Sequence, residues 1–403
     1  MREHREEVGG QRPLDLLTIT PGAESVSMVL ARLADACAGH GPAFGIAPAG
    51  SDEYAERIQR AVGFESAVRA VDQAVALVIS TSGSLGEPKG VMLSGQALLA
   101  SAAAAHEFLG GPGSWLLALP ITSIGGIQVL MRSLVSHTDP VVLGSVGGAT
   151  TFDPAEFASK SWTLDPSLPA YCSLVPTQIA RVLDDPDALA ALQGFDAVLI
   201  GGARLPNVLA ARLDEAHVRW YSTYGMTETS GGVFYNGIPL PGASASIVEP
   251  DSHGVGRIVL SGPMIAHGYL DNPGATATAF IDGTHLTADL GRVEDGRLEV
   301  VGRIDDVVQV GGINVSLSAV EDVLRRHYRD AAVLSEFSDV WGASLTAYVV
   351  GTVDSTSDEH VMEIDAVLGR AARPAQLVHL DELPYSANGK VDRAALRALT
   401  GSE

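Results

Sequence analysis

The stretch Thr81-Ser-Gly-Ser-Leu-Gly-Glu-Pro-Lys-Gly90 is the part of the sequence from which the fold is best inferred. It follows an apolar run at residues 74–79 that predicts a buried strand. It precedes a second apolar run at residues 91–93 and a helix that we expect to begin after Ser94. Glycines let a backbone approach a ligand closely, hydroxyl and amide groups donate to phosphate oxygens, and Lys89 adds a positive charge. The stretch therefore predicts a loop between two strands that surrounds an anion.

This loop is not of the Walker type, which requires Gly-Lys-Ser/Thr at the start of a helix. Here Pro88 precedes Lys89 and Gly90 follows it. The alternative interpretation is a flexible surface hairpin, because clusters of Ser, Gly and Pro commonly form turns. The rest of the sequence decides between the two.

The charge of the chain restricts its partners. Its 403 residues are enough for two or three domains. They include 26 Lys and Arg against 48 Asp and Glu, which gives a net charge of −22. This excess of negative charge argues against a nucleic-acid partner and against an anionic membrane. An anionic substrate must therefore be bound by a local cationic site.

The two cysteines, Cys37 and Cys172, are far apart and predict neither a metal site nor a disulfide framework. The charged N-terminus has no apolar segment after it, so we expect no signal peptide. The longest apolar stretch, near residues 98–105, is too short to span a membrane. These features predict a protein of the reducing cytoplasm.

Strands and helices alternate after residue 74, whereas residues 1–72 are Ala-rich and have a helical pattern. We predict strands at 115–119, 171–175, 195–200 and 218–222. This is the α/β pattern of a mostly parallel sheet, in which ligands bind at the carboxyl ends of the strands. The Gly-rich polar segments follow these strands, which places a candidate site at that edge.

The residue pattern changes at Gly231. From there, short runs typical of strands alternate with Gly/Pro turns and predict a small β subdomain. After Gly302 we expect a strand at 307–310, a Gly311-Gly312 turn, a helix at 318–328 and strands at 331–334 and 345–350. This is a compact α+β module of about 100 residues. We therefore predict a large domain at residues 1–302 and a small one at 303–403.

Five motifs occur in a specific order along the chain. They are Thr81–Gly90, Tyr224-Gly-Met-Thr-Glu228, Thr287-Ala-Asp289, Gly302-Arg-Ile-Asp-Asp306 and Asn388-Gly-Lys390. This series resembles that of the adenylate-forming superfamily, which contains acyl- and aryl-CoA synthetases, adenylation domains and luciferases. The resemblance covers residues 74–396. A short N-terminal part and the segments at 115–120, 128–133 and 171–178 look like those of compact 2-succinylbenzoate–CoA ligases of menaquinone biosynthesis.

The resemblance implies a fold and a reaction. The fold would be a large N-terminal domain of mostly parallel sheets with helices and a small β subdomain, followed by a small mobile α+β domain. The reaction would join a carboxylic acid to ATP, giving an acyl-AMP and pyrophosphate, after which CoA displaces AMP. ATP, Mg²⁺ and CoA are the implied cofactors and co-substrates, and a small aromatic or acyl carboxylic acid is the implied substrate.

The resemblance also implies residue roles. Lys390 would bridge the carboxylate and the α-phosphate, Thr227 would donate to the α-phosphate and Glu228 would hold Mg²⁺. Asp305 would be the hinge of the mobile domain. The implied binding residues are, for the β- and γ-phosphates, Thr81, Ser82, Gly83, Ser84, Gly86 and Lys89; for the adenine, Gly201, Gly202, Ala203, Tyr224 and Gly225; for the ribose, Asp289 and Arg303; and for CoA, Gly311 and Gly312.

The acid is expected behind these motifs. Arg132 lies on an otherwise apolar predicted helix, and a buried cation needs an anionic partner. 2-Succinylbenzoate has two carboxylates, of which one would be activated and the other would need a counter-charge. A structurally paired or snorkelling arginine is the alternative interpretation. Ser123 would also face the acid.

Two positions depart from the family pattern: Leu85 replaces a Thr or Ser of the phosphate loop, and Ser123 replaces a His of the acid pocket. Other acyl- or aryl-CoA synthetases, a stand-alone amino-acid adenylation enzyme and a nucleotide-binding homologue without turnover therefore remain alternatives. A homo-oligomer is compatible with the sequence. The segment 121–123 has no acidic residue for a substrate ammonium group, which disfavours amino-acid adenylation.

Overall fold

The computed structural model describes residues 10–20, 23–81, 88–147, 152–338, 342–351, 359–385 and 391–400. Five phosphate-loop residues of interest (Ser82, Gly83, Ser84, Leu85 and Gly86), the predicted catalytic Lys390 and the side chain of Asp305 lie outside this description.

The strands of the described residues are, in chain order, β1 (Gln11–Ile19), β2 (Ala43–Pro48), β3 (Ala70–Asp72), β4 (Val75–Ser80), β5 (Gly90–Ser94), β6 (Ser114–Leu117), β7 (Val141–Val142), β8 (Ala170–Leu174), β9 (Ala197–Ile200), β10 (Trp220–Met226), β11 (Gly231–Tyr235), β12 (Ile238–Pro239), β13 (Ser244–Val248), β14 (Gly256–Ser261), β15 (Gly268–Tyr269), β16 (Phe280–Ile281), β17 (Thr284–Glu294), β18 (Arg297–Arg303), β19 (Val307–Val310), β20 (Ile313–Ser316), β21 (Asp330–Ser338), β22 (Gly342–Val350) and β23 (Gln376–Leu380).

The α-helices are α1 (Ala23–Cys37), α2 (Glu53–Ala61), α3 (Gly95–Leu109), α4 (Ile124–Ser136), α5 (Pro154–Ser161), α6 (Pro176–Leu183), α7 (Pro186–Gln193), α8 (Asn207–Glu215), α9 (Pro273–Ala279), α10 (Leu317–Leu324), α11 (Glu359–Leu368) and α12 (Arg393–Thr400). Short 3-10 helices occur at Gly144–Gly147, Thr227–Thr229, Ile304–Asp306 and Arg370–Ala372. Within the described residues, no helix combines the length and apolar character that crossing a bilayer requires.

Two sheets, one of seven strands and one of six, form most of the larger, N-terminal part of the molecule. The seven-stranded sheet has the order β12-β11-β10-β9-β8-β6-β7. Its neighbouring strands β10, β9, β8, β6 and β7 are parallel to one another. The six-stranded sheet has the order β15-β5-β4-β2-β1-β3, with parallel pairing only of β2 with β1 and β4. The predicted strands before and after the phosphate loop are β4 and β5, and Ser94 caps α3 as expected.

The helical prediction for residues 1–72 is confirmed for α1 and α2 and wrong for β1, β2 and β3, which lie in the same segment. In β2, five of the six residues are buried, so its apolar side chains fill both faces and show no strand alternation. Composition alone could not separate such a strand from a buried helix.

Strand β10 is longer than the prediction of 218–222, because it continues to Met226 through antiparallel pairing with β11. The register shifts between Tyr224 and Gly225. A Cβ atom on Gly225 would lie 2.0 Å from the Gly231 carbonyl oxygen, so only glycine fits this approach. The strand thereby carries Tyr224 to the sheet edge and leads directly into the 3-10 helix that holds Thr227 and Glu228.

The remaining strands form a five-stranded sheet (β13, β14, β16, β17 and β18), the β19–β20 hairpin and the three-stranded sheet β21-β22-β23. The main hydrophobic core runs from Ile19 to Leu298, whereas two smaller cores contain buried residues from Val315 to Leu396. Arg204 forms an ion pair with Asp322 between these two parts. The boundary predicted at residues 302 and 303 falls between the cores and stays a prediction.

Helix α4 carries Arg132 and begins against a tight loop. Ser123 caps it: its Oγ accepts from the Gly126 amide at 3.4 Å and donates to the Pro120 carbonyl at 2.7 Å. A Cβ atom on Gly126 would lie only 2.2 Å from the Pro120 carbonyl oxygen. The start of α4 is therefore fixed by a close backbone approach.

We predict that Gly126→Ala lowers the free energy of unfolding by about 1–3 kcal/mol, because the backbone must move to admit the new atom. Gly274→Ala is the matched control, because a Cβ at Gly274 would meet no atom within 4 Å. The control should change stability by less than about 1 kcal/mol. Urea denaturation measures both, and equal effects would contradict the packing described for α4.

His106 on α3 supports the core beside Arg132. Its Nε2 accepts from the Trp115 indole N–H at 3.2 Å, and Arg132 lies 4.9 Å from the Trp115 ring centre. Burial, and then the charge of Arg132, lower the pKa of His106 from 6.5 to about 4. The imidazole is therefore neutral at pH 7 and acts as an acceptor.

Because the pKa of His106 is lower in the folded chain than in the unfolded one, the unfolded chain binds the proton more readily between pH 6.5 and 4. We predict that the wild-type chain loses more stability than His106→Gln between pH 7 and pH 5. His40→Gln, at an exposed histidine, is the control and should behave as the wild type. Equal losses in wild type and His106→Gln, measured by urea denaturation, would refute this assignment.

Candidate active site

A single cleft of about 1130 Å³ brings together most of the residues selected from the sequence. It opens beyond the carboxyl ends of β6, β8 and β9, as predicted for a parallel sheet. Residues of the five-stranded sheet and of β15 form the opposite wall of the cleft. The selected residues that line it are Thr81, Lys89, Ser123, Arg132, Gly201, Gly202, Ala203, Tyr224, Gly225, Thr227, Glu228, Asp289 and Arg303.

The cleft does not include Gly311 and Gly312, which form the exposed turn between β19 and β20. The backbone of Asp305 lies in the 3-10 helix Ile304–Asp306, directly after β18. The proposed hinge and CoA roles of these residues therefore stay predictions.

Asp289 is the most constrained acid of the cleft, with 5% of its surface exposed. The Tyr224 hydroxyl donates to its Oδ2 at 2.7 Å, and the Arg303 guanidinium donates to its Oδ1 at 3.0 Å. Its own amide donates to the Thr287 hydroxyl at 3.0 Å. Each carboxylate oxygen keeps a second acceptor position, so the group can still accept two hydroxyl donors.

The tyrosine beside Asp289 stays protonated at neutral pH. Burial, and then the Asp289 charge, raise the pKa of Tyr224 well above its usual value. Because Tyr224 is on β10 and Asp289 on β17, their hydrogen bond joins the seven-stranded sheet to the five-stranded sheet.

Glu228 and Lys89 share a second tyrosine. The Tyr269 hydroxyl donates to Glu228 Oε1 at 2.8 Å, and the Lys89 ammonium lies 4.8 Å from the centre of the Tyr269 ring. Burial, and then Glu228, raise the pKa of Tyr269, which therefore acts as a donor. This contact joins the six-stranded sheet to the 3-10 helix that follows β10.

Thr81 and Lys89 close the neck of the predicted phosphate loop. The Thr81 amide donates to the Lys89 carbonyl at 2.9 Å, and the Lys89 amide donates to the Thr81 hydroxyl at 3.1 Å. These bonds hold the ends of the loop together at the cleft, while residues 82–87 are outside the described part.

Arg132 is a buried cation with 4% of its surface exposed. It donates to the Ser173 hydroxyl at 3.4 Å and to the Tyr235 hydroxyl at 3.2 Å, and its Nε has no hydrogen-bond partner in the part of the chain that the structure describes. Within the described ranges, no carboxylate forms an ion pair with it. Its neighbours are neutral, so the charge of the guanidinium is not compensated by the described protein atoms.

Arg12 is a buried arginine outside the cleft, and its Nε, like that of Arg132, has no hydrogen-bond partner among the described residues. It donates to four main-chain carbonyls, those of Ala36, His40, Gly41 and Val75, and does not line the cleft. Arg132 donates two long hydrogen bonds to described residues and does line the cleft. Arg132 therefore keeps donor capacity at the cleft wall.

The acidic residues of the site fit a metal ion that binds together with a nucleotide. In the described residues there is no group of three or more His, Cys, Asp or Glu side chains that could hold a metal ion. Mg²⁺ is commonly bound by one or two carboxylates together with substrate phosphates and water. Glu228, on the same wall as Lys89, fits that donor set.

Sequence reasoning missed Tyr269 and the neighbours of Arg132. Ser173 and Tyr235 are 41 and 103 residues away from Arg132, so no local pattern connects them. Tyr269 reaches Lys89 only because β15 pairs with β5. The one available signal was a lone tyrosine in a Gly-rich segment, which does not by itself indicate a site.

Comparisons with known proteins agree with this geometry. The AMP-binding enzyme family matches residues 31–270. A probable 2-succinylbenzoate–CoA ligase of Mycobacterium tuberculosis strain H37Rv is 41% identical over 334 residues, which cover 81% of this chain and 85% of that protein.

Solved structures of o-succinylbenzoate CoA synthetase from Bacillus subtilis are also similar. The complex with its acyl-adenylate intermediate has a TM-score of 0.71 at 23% identity, covering 95% of this chain and 87% of that one. The complex with ATP and magnesium ion has a TM-score of 0.70 at 22% identity, covering 96% and 89%. This likeness confirms the predicted fold class. The family match over more than half of its length identifies the chain as a member of the AMP-binding enzyme family.

Proposed function

We propose that this chain is an ATP-dependent acid–CoA ligase that activates 2-succinylbenzoate as an acyl-AMP and transfers the acyl group to CoA, in menaquinone biosynthesis. Membership of the AMP-binding family and the similarity to relatives that carry this name support the proposal. The observation that carries it is Arg132, a buried guanidinium on the cleft wall whose charge lacks a carboxylate partner among the described residues. A diacid supplies that partner.

The first step brings a carboxylate oxygen onto the α-phosphorus, so two anions must meet. Catalysis then depends on cations and donors aimed at that point. In our proposal Thr81 and Lys89 bind the β- and γ-phosphates, with Ser82, Gly83, Ser84 and Gly86 completing the loop. Mg²⁺ held by Glu228 would neutralise phosphate charge when it is bound.

The nucleotide is oriented by the residues at the strand ends. Asp289 would accept the ribose hydroxyls, with Arg303 beside it, and Gly201, Gly202, Ala203, Tyr224 and Gly225 would line the adenine. Thr227, which is buried on the cleft wall, would donate to the α-phosphate. Ser123 at the start of α4 would lie near the acid, between the nucleotide residues and Arg132.

The second step needs CoA, which we propose enters past Gly311 and Gly312 after residues 303–403 turn about Asp305. Separate hydrophobic cores on the two sides of residue 302 support such a movement. Lys390 would then act only in the first step. The net charge of −22 supports a small-molecule enzyme that binds neither nucleic acid nor an anionic membrane, and we propose that it acts in the cytoplasm.

The direct test is conversion of 2-succinylbenzoate, ATP and CoA into the acyl-CoA, AMP and pyrophosphate, followed by mass spectrometry. A panel of monocarboxylic acids separates the alternatives. Faster turnover of a monoacid would favour another acyl- or aryl-CoA synthetase. Measurable ATP binding without pyrophosphate release from any acid would indicate a homologue that does not turn over.

We predict that Lys390→Ala slows acyl-AMP formation by at least about a hundredfold, because the lysine would offset charge only in that transition state. Thioester formation from CoA and preformed acyl-AMP should change by less than about threefold. Single-turnover assays measure each half-reaction. If both slowed to the same extent, Lys390 would not be specific to the first step.

We predict that Arg132→Met raises KM for 2-succinylbenzoate by about tenfold to a hundredfold, since hydrogen bonds to charged groups contribute about 1.5–3 kcal/mol. KM for 3-benzoylpropanoate, which lacks the second carboxylate, should change little. Tyr235→Phe, which removes one neutral neighbour of Arg132, is the control for disturbance of the pocket and should affect both acids alike. Equal effects of Arg132→Met on both acids would remove Arg132 from the acid site.

A further inference from the structure

Tyr269 contacts two groups of opposite charge through two different parts of one side chain. Its hydroxyl donates to Glu228 Oε1 at 2.8 Å, and its ring lies 4.8 Å from the Lys89 ammonium nitrogen. Neither the motif series nor the family match assigns this residue a task. The two groups are the ones that our proposed function gives to the metal and to the terminal phosphates of ATP.

The position of Tyr269 is fixed by its surroundings. Its register partner in β5 is Val91, two residues after Lys89, and the Leu270 amide donates to the Gly90 carbonyl at 2.8 Å. The Thr276 hydroxyl accepts from the Tyr269 amide at 2.9 Å. Only 6% of the residue is exposed, and Phe280 packs edge-on against its ring at 5.3 Å. The ring therefore cannot leave the wall of the cleft without disturbing β5 and α9.

This fixed ring explains how Lys89 and Glu228 share a wall without neutralising each other. Both residues are described, and no ion pair within 4.0 Å is formed between their side chains. A flexible lysine and a carboxylate in one cleft attract each other, and a direct pair would have to be broken before phosphates and metal could bind. The aromatic face attracts the ammonium group while the hydroxyl engages the carboxylate.

We propose that Tyr269 is a positioning residue that holds Lys89 and Glu228 apart and oriented for the terminal phosphates and the Mg²⁺ of ATP. The inference rests on the proposed function, since it requires ATP at this wall. The two contacts are separable. Tyr269→Phe keeps the ring at Lys89 and removes only the donor to Glu228, whereas Tyr269→Leu removes both.

The test is equilibrium binding of ATP to the full chain, by calorimetry without any acid, in EDTA and over a series of Mg²⁺ concentrations. For Tyr269→Phe we expect the Mg²⁺ concentration that half-saturates ATP binding to rise by about tenfold or more, because one charge-assisted hydrogen bond to Glu228 is lost. Its affinity for ATP in EDTA should stay within about twofold of wild type, because the Lys89 contact remains. Tyr269→Leu should weaken ATP binding in EDTA as well.

Tyr54→Phe, at an exposed tyrosine of α2 outside the cleft, is the matched control and should bind as the wild type under both conditions. Thermal denaturation of Tyr269→Phe, which preserves the packed ring, shows whether the variant is folded. If folded Tyr269→Phe needs no more Mg²⁺ than wild type, the positioning role is refuted while the proposed function stands. If the wild type itself binds no ATP, both fail.

Discussion

The cleft depends on two carboxylates at the place where three sheets meet. Each of these carboxylates accepts a hydrogen bond from a tyrosine hydroxyl. Tyr224 on the seven-stranded sheet binds Asp289 on the five-stranded sheet, and Tyr269 on the six-stranded sheet binds Glu228 in the 3-10 helix after β10. Charged groups this close to the interior are tolerated only when they are hydrogen-bonded. The same contacts that satisfy the carboxylates therefore fix the relative positions of the sheets and give the cleft its shape.

Local charge, not overall charge, determines what such a cleft can bind. The chain carries a net charge of −22, yet Lys89, Arg303 and Arg132 all line the cleft. Lys89 faces an aromatic ring and Arg132 faces neutral hydroxyls, so both cations keep their attraction for an anionic ligand. Arg303 forms an ion pair with Asp289. Among the described residues neither Lys89 nor Arg132 forms an ion pair, and cations at separate positions suit a nucleotide at one end and a second carboxylate at the other.

Much of this could be predicted from the sequence, because the motif residues lie next to strands with a clear apolar pattern. Thr81 and Lys89 flank a loop between β4 and β5, and Gly201 follows β9, as expected. The end of β10 was missed, since Tyr224 and Gly225 are held in the strand by pairing with distant β11. Ser173, Tyr235 and Tyr269 were missed for the same reason. Their roles depend on contacts between elements, which local patterns do not encode.

The most direct test of this account is a crystal structure of the protein with a non-reactive sulfamoyl analogue of the 2-succinylbenzoate acyl-adenylate. The account predicts that Asp289 accepts hydrogen bonds from the ribose hydroxyls and that the free carboxylate contacts the Arg132 guanidinium in the same molecule. A bound analogue with its ribose away from Asp289, or with the free carboxylate in solvent while Arg132 keeps only its hydroxyl neighbours, would contradict it.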